Sequence, residues 1–299
     1  MSTSQNPRQE QPNTYFVQDR FNRDELTRLE IQDRMLISGM DGVLPEQSDP
    51  TAFQSVLDVG CGCGRWLIEV AKAYPGIKQL VGVNTHERMI KYAQAQAEAQ
   101  QVADRVQFRT MDLLNRFELP DDSFDLVNQR LGQSYARTWD WPNILSEFSR
   151  VARPDGVIRL MEGDMILDSP DPAFTQLNEI LLQALHQSGH YFTQTSDGLT
   201  SKLPGLLRQY GIQHIQTKVH PLEYRAGTVE GQQLYEDTKY LFQTVLPFLH
   251  RWTRVPADFE SVYQRALDEI QHPDFFATWR LVTAWGIQPP KREEQPILD

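Results

Sequence analysis

An apolar run that breaks into alternating glycines constrains this chain more than any other feature. Residues Val56-Leu57-Asp58-Val59 lead straight into Gly60-Cys61-Gly62-Cys63-Gly64, and an amphipathic pattern starts at Trp66. That order predicts a strand, a tight turn and the first turn of a helix. Glycine there admits positive φ and lets a ligand approach backbone that a Cβ would block. The helix N-terminus adds unpaired N–H groups and a partial positive field. A glycine turn alone is weak evidence, because an ordinary βα connection uses glycine for geometry. Two spacings restrict it further. Asp58 precedes G-x-G-x-G rather than G-x-G-x-x-G, and no Lys-Ser/Thr follows to complete a phosphate loop.

The pattern around the turn predicts an α/β fold. Strands fit 55–59, 79–83, 105–109, 124–128 and 157–163, and helices fit 64–74, 86–101 and 141–152. Such alternation gives a parallel sheet with helices on both faces. Ligands of these sheets sit beyond the carboxyl ends of the strands, near the switch in strand order. The glycine turn, Asn84, Asp112 and Asn128 all fall at such ends. Before this core, Asp24 to Met40 has helical spacing. After it, helices fit 172–189, 197–210, 230–250 and 257–271, and strands fit 212–224 and 275–287.

Composition excludes some functions. Forty acidic against 29 basic residues leave a net charge of −11. A sequence-independent grip on nucleic acid needs a basic surface, so none is expected. No apolar run is long enough for a membrane span, and the polar start MSTSQNPRQEQPNTY lacks a signal-peptide core. The two cysteines, Cys61 and Cys63, stand one residue apart in a tight turn. They read as small residues filling that turn rather than as a disulfide or a zinc site. Reduced thiols suit a cytoplasmic setting.

Five segments in order carry a resemblance: VLDVGCGCG at 56–64, GVNTHERMI at 82–90, MDLL at 111–114, FDLV at 124–127 and RVARPDGVIRLME at 150–162. The chain resembles the class I S-adenosylmethionine (SAM)-dependent methyltransferases, in particular small-molecule enzymes of the ubiquinone/menaquinone-biosynthesis and natural-product types. The resemblance is firm over roughly 51–165 and loose beyond. It implies a Rossmann-like seven-stranded sheet, mostly parallel, with the last strand antiparallel. It also implies a helical cap built from the N-terminus and a C-terminal insertion between the last two strands, covering the mouth of the site. The expected divisions are a disordered or loosely docked tail at 1–14, a helical cap segment at 15–50 and a SAM-binding core at 51–165. Residues 166–290 would hold the remaining strands and the cap insertion, and 291–299 a flexible tail.

The resemblance also assigns residues. The methionyl tail of SAM would meet Gly60, Cys61, Gly62 and Gly64, with Asp58 orienting the loop or the ammonium. The ribose would meet Asn84 and Thr85, where the family pattern has an acid. Met89, Met111, Asp112 and Leu113 would flank the adenine, and Asn128 and Gln129 would lie beside the sulfonium. Arg130 is either a ligand of the tail or half of an ion pair. Tyr15 would close over the cofactor or simply dock the N-terminal segment.

Asn84 keeps a carbonyl acceptor but loses a charge-assisted bond, roughly twice as strong as a neutral one. Three accounts stay open: tolerated variation, a more anionic modified sulfonium, or drift away from methyl transfer. Glu162 and His190 are the candidate proton acceptors, with Asp164, His186 and Tyr191 behind them. Trp139, Tyr191, Phe192 and Tyr224 would line a pocket for a small-molecule acceptor. The expected activity is methyl transfer from SAM to that acceptor by in-line displacement. A SAM-binding protein without transfer is the alternative, a macromolecular substrate is a third option, and a homodimer stays open.

Overall fold

The computed structural model describes residues 15–17 and 23–290. The tails expected over 1–14 and 291–299 lie outside the described residues. Seven strands form one sheet: β1 (Ser55–Val59), β2 (Gln79–Asn84), β3 (Val106–Thr110), β4 (Phe124–Arg130), β5 (Ala152–Gly163), β6 (Gln213–Arg225) and β7 (Phe276–Ile287). Their order is β3-β2-β1-β4-β5-β7-β6. β1 to β5 pair in parallel, and β7 runs antiparallel to both β5 and β6. The sheet is therefore seven-stranded and Rossmann-like, as the resemblance implies. β1 lies between β2 and β4 at the switch in order, so its carboxyl end opens a crevice where the glycine turn sits.

Helices α1 (Arg23–Gly39), α2 (Arg65–Ala73), α3 (Glu87–Ala99), α4 (Trp141–Val151) and α5 (Pro172–Gln187) are followed by α6 (Leu203–Gln209), α7 (Val229–Thr244), α8 (Leu246–Trp252) and α9 (Phe259–Gln271). Two expected helices are shorter than their patterns. The 197–210 segment forms a 3₁₀ turn at Thr200–Lys202 and then α6, while 230–250 splits into α7 and α8. The split falls at Val245, two residues before Pro247, which lacks the N–H that a continuing helix would use.

Alternation along the strands sorts the core into two layers. Val56, Leu80 and Leu126 pack with Trp66, Leu67, Ile90 and Ala93 of α2 and α3. Leu57, Val59, Val81, Val83 and Val127 face the other way, toward α4 and the later helices. α7, α8 and α9 occupy the long connection between β6 and β7. α7 packs along α1, and α9 packs on α5 and α7.

Candidate functional site

A cavity of about 450 Å³ opens beyond the carboxyl ends of β1 to β4. Its floor is the glycine turn. Gly60, Gly62 and Gly64 all hold positive φ, at 76°, 54° and 80°. Their surroundings differ. A Cβ on Gly60 would come 2.9 Å from the Tyr135 ring, and one on Gly64 would meet Ala93 and Phe108 at 2.6 Å. A Cβ on Gly62 would meet no atom within 4 Å, and Gly62 lines the cavity. Gly62 therefore presents bare backbone to a ligand. Gly64 caps α2 and lets it pack on α3 and β3. Unlike Gly60 and Gly62, it does not line the cavity where it was expected.

Ten of the expected cofactor residues line this space: Tyr15, Gly60, Cys61, Gly62, Asn84, Thr85, Met89, Met111, Asp112 and Leu113. The amide oxygen of Asn84 accepts from the His86 N–H at 3.0 Å. That orientation leaves the NH₂ group as the end free to donate. Asp112 is similarly occupied, since Oδ1 accepts from Leu114 N and Oδ2 from Asn115 Nδ2. Met111 and Leu113 are buried beside it. Tyr15 stacks on Phe16, meets the His86 ring edge-on at 5.5 Å, and donates to Glu25. Burial, with the Glu25 charge adding to it, pushes the Tyr15 hydroxyl well above its ordinary pKa.

Asp58, Asn128 and Gln129 do not line the cavity. β4 runs on to Arg130, so the chain leaves the sheet two residues later than expected and residues 130–135 take the rim. Asn128 is fully buried, donates to Asp58 Oδ1 at 2.7 Å and accepts from Arg159 Nη1 at 2.7 Å. Arg159 in turn pairs with Glu46 at 2.6 Å, with both side chains fully buried. The result is a buried polar chain, Glu46–Arg159–Asn128–Asp58, beneath the glycine turn. Asp58 Oδ2 has no partner among the described residues, and burial pushes the carboxyl up to about 6.

The expected proton acceptors are also displaced. Glu162, the last-but-one residue of β5, does not line the cavity. Its carboxylate accepts from the Gly132 and Gln133 N–H groups at 2.7 and 3.2 Å, and burial pushes it up to about 8. It clamps the turn after β4, where Leu131 holds the left-handed conformation at φ 51°. His190 is buried, with Nδ1 2.7 Å from Ser188 Oγ and its ring against Phe248. Asp164 is tied to Thr200 and Arg280.

None of the four expected acceptor-pocket aromatics lines this cavity or the smaller one described below. Trp139 is 59% exposed and covers Gly189. Phe192 is partly buried against the core, and Tyr224 is buried with a hydroxyl that has no partner among the described residues. Tyr191 is buried and donates to Gln133 Oε1 at 2.6 Å, so it supports a lining residue without being one.

The sequence reading missed Arg28, Gln32, Gln133 and Asp237. A second cavity of about 70 Å³ lies between α1, α5 and α7. Phe16, Arg28, Gln32 and Gln133 line both spaces, so one cavity backs directly onto the other. The second is walled by Met35, Met165, Leu181, Phe242 and Trp279, among others. Arg28 is buried, holds Glu25 through two bonds of 2.8 Å and reaches Asp237 Oδ1 at 3.3 Å. Its signal was present as a Glu-x-x-Arg pair inside an otherwise apolar helix stripe. Arg130 lines the larger cavity, pairs with Asp33 at 2.7 Å and keeps a buried Nε with no partner among the described residues. Among the described residues, no group of three or more His, Cys, Asp or Glu is placed to hold a metal ion. No helix among them is long and apolar enough to cross a membrane.

A family model described as a methyltransferase domain matches residues 56–156. A demethylmenaquinone methyltransferase of Lactiplantibacillus plantarum is 36% identical over 109 residues, which is 36% of this chain and 44% of that protein. The chain thus matches under half the length of that relative. A 27-O-demethylrifamycin SV methyltransferase of Amycolatopsis mediterranei is 26% identical over 266 residues, covering 89% of this chain and 83% of the other. Among solved structures, a phosphoethanolamine N-methyltransferase 2 of Haemonchus contortus, in complex with phosphomonomethylethanolamine and S-adenosylhomocysteine, superposes with a TM-score of 0.54 at 17% identity. It covers 92% of this chain and 60% of that one. Residues 56–156 thus match a methyltransferase domain, and that segment supplies the central strands of a seven-stranded sheet.

Proposed function

We propose that the chain is a SAM-dependent methyltransferase acting on a small-molecule acceptor. The observation that carries this reading is the pair of cavities sharing one wall. The larger lies over the glycine turn, and the smaller, apolar one sits under the cap helices. The larger cavity fits SAM in its donor set. Bare backbone at Gly62 and the Arg130 guanidinium with its unpartnered Nε suit the methionyl tail. Asn84 and Thr85 would face the ribose, and Met89, Met111 and Leu113 the adenine. Bound there, SAM would supply a methyl group on a cationic sulfonium.

In this reading residues 51–165 hold the cofactor, and 15–50 with 166–290 cap it and select the acceptor. Tyr15 closes the cofactor side. A net charge of −11 favours a small acceptor over a nucleic acid. The two free, buried thiols suit the cytoplasm. Positioning the acceptor and excluding water supply most of the acceleration, because the donor is already activated.

Calorimetric titration with SAM and S-adenosylhomocysteine tests the reading, with one site per chain expected. Absence of binding would overturn it. Asn84→Asp then probes the ribose position. The new carboxylate still caps His86 N and offers a second, charged acceptor, so affinity for SAM should rise about tenfold. No gain would favour a ligand other than unmodified SAM.

A further inference from the structure

We propose that the cavity between α1, α5 and α7 takes an apolar molecule bearing a hydroxyl, and that Asp237 receives the hydroxyl's proton during methyl transfer. This rests on the larger cavity being the SAM site.

Asp237 is a carboxylate in the wall of a mainly apolar cavity. Its Oδ1 is fixed by Arg28, while its Oδ2 takes no hydrogen bond among the described residues. The side chain keeps 10% of its surface accessible. Arg28 and Gln133 line both cavities, which puts the Arg28–Asp237 pair beside the boundary that a methyl group must cross. Three charged or titratable neighbours set its field: Arg28 and Glu25 on α1, and Tyr224 on β6. Burial pushes the Asp237 carboxyl up to about 6, so it is mainly ionised at neutral pH yet basic enough to take a proton.

The surroundings select the acceptor. Leu181, Leu185, Leu234 and Phe242 offer nothing to a charged or sugar-like body. Arg28 is already engaged by Glu25 and Asp237, so among the described residues no free cation remains in this wall to hold a phosphate or carboxylate. An acceptor O–H would donate to Asp237 Oδ2. As the methyl arrives, the proton passes to Asp237 and an oxygen electron pair forms the new O–C bond. The pair of the broken S–C bond stays on the donor sulfur. Asp237 then returns the proton to water.

The test compares phenol with anisole, which has the same ring and no proton to give, on the S-adenosylhomocysteine complex of the parent and of Asp237→Asn. Asn keeps an oxygen for Arg28 and removes the charge. The expected result is that the variant binds phenol at least about tenfold more weakly and anisole unchanged. Equal weakening of both would assign Asp237 a structural role and overturn the proposal. Failure of either probe to bind the parent complex would overturn the acceptor class. Loss of S-adenosylhomocysteine binding by the parent is a separate outcome, which removes the cofactor reading first. In turnover, the parent's kcat should rise with pH through about 6, and the variant should lose that limb.

Discussion

At the scale of single residues, the three glycines of one turn do three jobs. Gly60 makes room for the Tyr135 ring, Gly62 bares backbone to the cavity, and Gly64 lets α2 close on Ala93 and Phe108. All three would strain an alanine, since positive φ costs an L-residue about 1–2 kcal/mol. Gly60 and Gly64 add overlap with packed neighbours, tighter at Gly64, where it is worth about 1–3 kcal/mol more. Gly64→Ala should therefore lose about 2–5 kcal/mol in urea unfolding. Gly62→Ala should lose about 1–2 kcal/mol, and its S-adenosylhomocysteine affinity should fall further than that of Gly64→Ala. A reversed order would mean that Gly62 does not face the ligand. Spacing alone could not separate these glycines. The deciding quantity is what stands opposite each missing Cβ, and those atoms come from residues 93, 108 and 135.

Between elements, the joint that matters is α1 against α7. Glu25, Arg28 and Asp237 meet there, out of water, with Thr244 Oγ1 3.4 Å from Glu25. Removing one member of a buried ionic set leaves the others uncompensated, at about 3–5 kcal/mol. Arg28→Ala should cost that much, and amide exchange in 23–39 should accelerate well beyond that in β1. Uniform acceleration would show that α1 and the sheet open together. The sequence foretold the strands well because buried parallel strands are near-continuous apolar runs. It foretold which residues on the loops after β1, β2 and β3 line the larger cavity, because position along the chain there fixes position in the crevice. It failed at Asn128, Gln129 and Glu162, because a polar residue near a strand's end faces a ligand or a neighbouring strand according to where the strand stops. It failed at Asp237 because the partner of that carboxylate stands 209 positions away.

Across the whole molecule, several carboxyls are buried where ionisation is costly. The folded chain holds the Glu162 proton up to about pH 8, while an exposed glutamate releases it near 4.5. The stability from that group is complete below about pH 4.5 and is lost as pH rises to 8. Its slope reaches at most ~1.4 kcal/mol per pH unit. Asp58 and Asp237 act in the same direction over a lower window, from their ordinary 3.8 to about 6. Glu162→Gln removes the upper term and keeps an oxygen for the Gly132 N–H. The fall in melting temperature from pH 6 to 8.5 should therefore be smaller in the variant than in the parent. An equal fall would assign the alkaline loss to other groups.

The shared wall between the two cavities has a consequence for how such a chain diversifies. The lower chamber draws much of its lining from one stretch, Gly60 to Glu118, whereas the upper draws on segments scattered from Phe16 to Trp279. Substitutions in α5 and α7 can reshape the upper chamber while leaving the glycine turn untouched. Under the proposed function, a lineage can thus try new acceptors without risking its grip on the methyl donor, as long as Phe16, Arg28, Gln32 and Gln133 keep the partition in place.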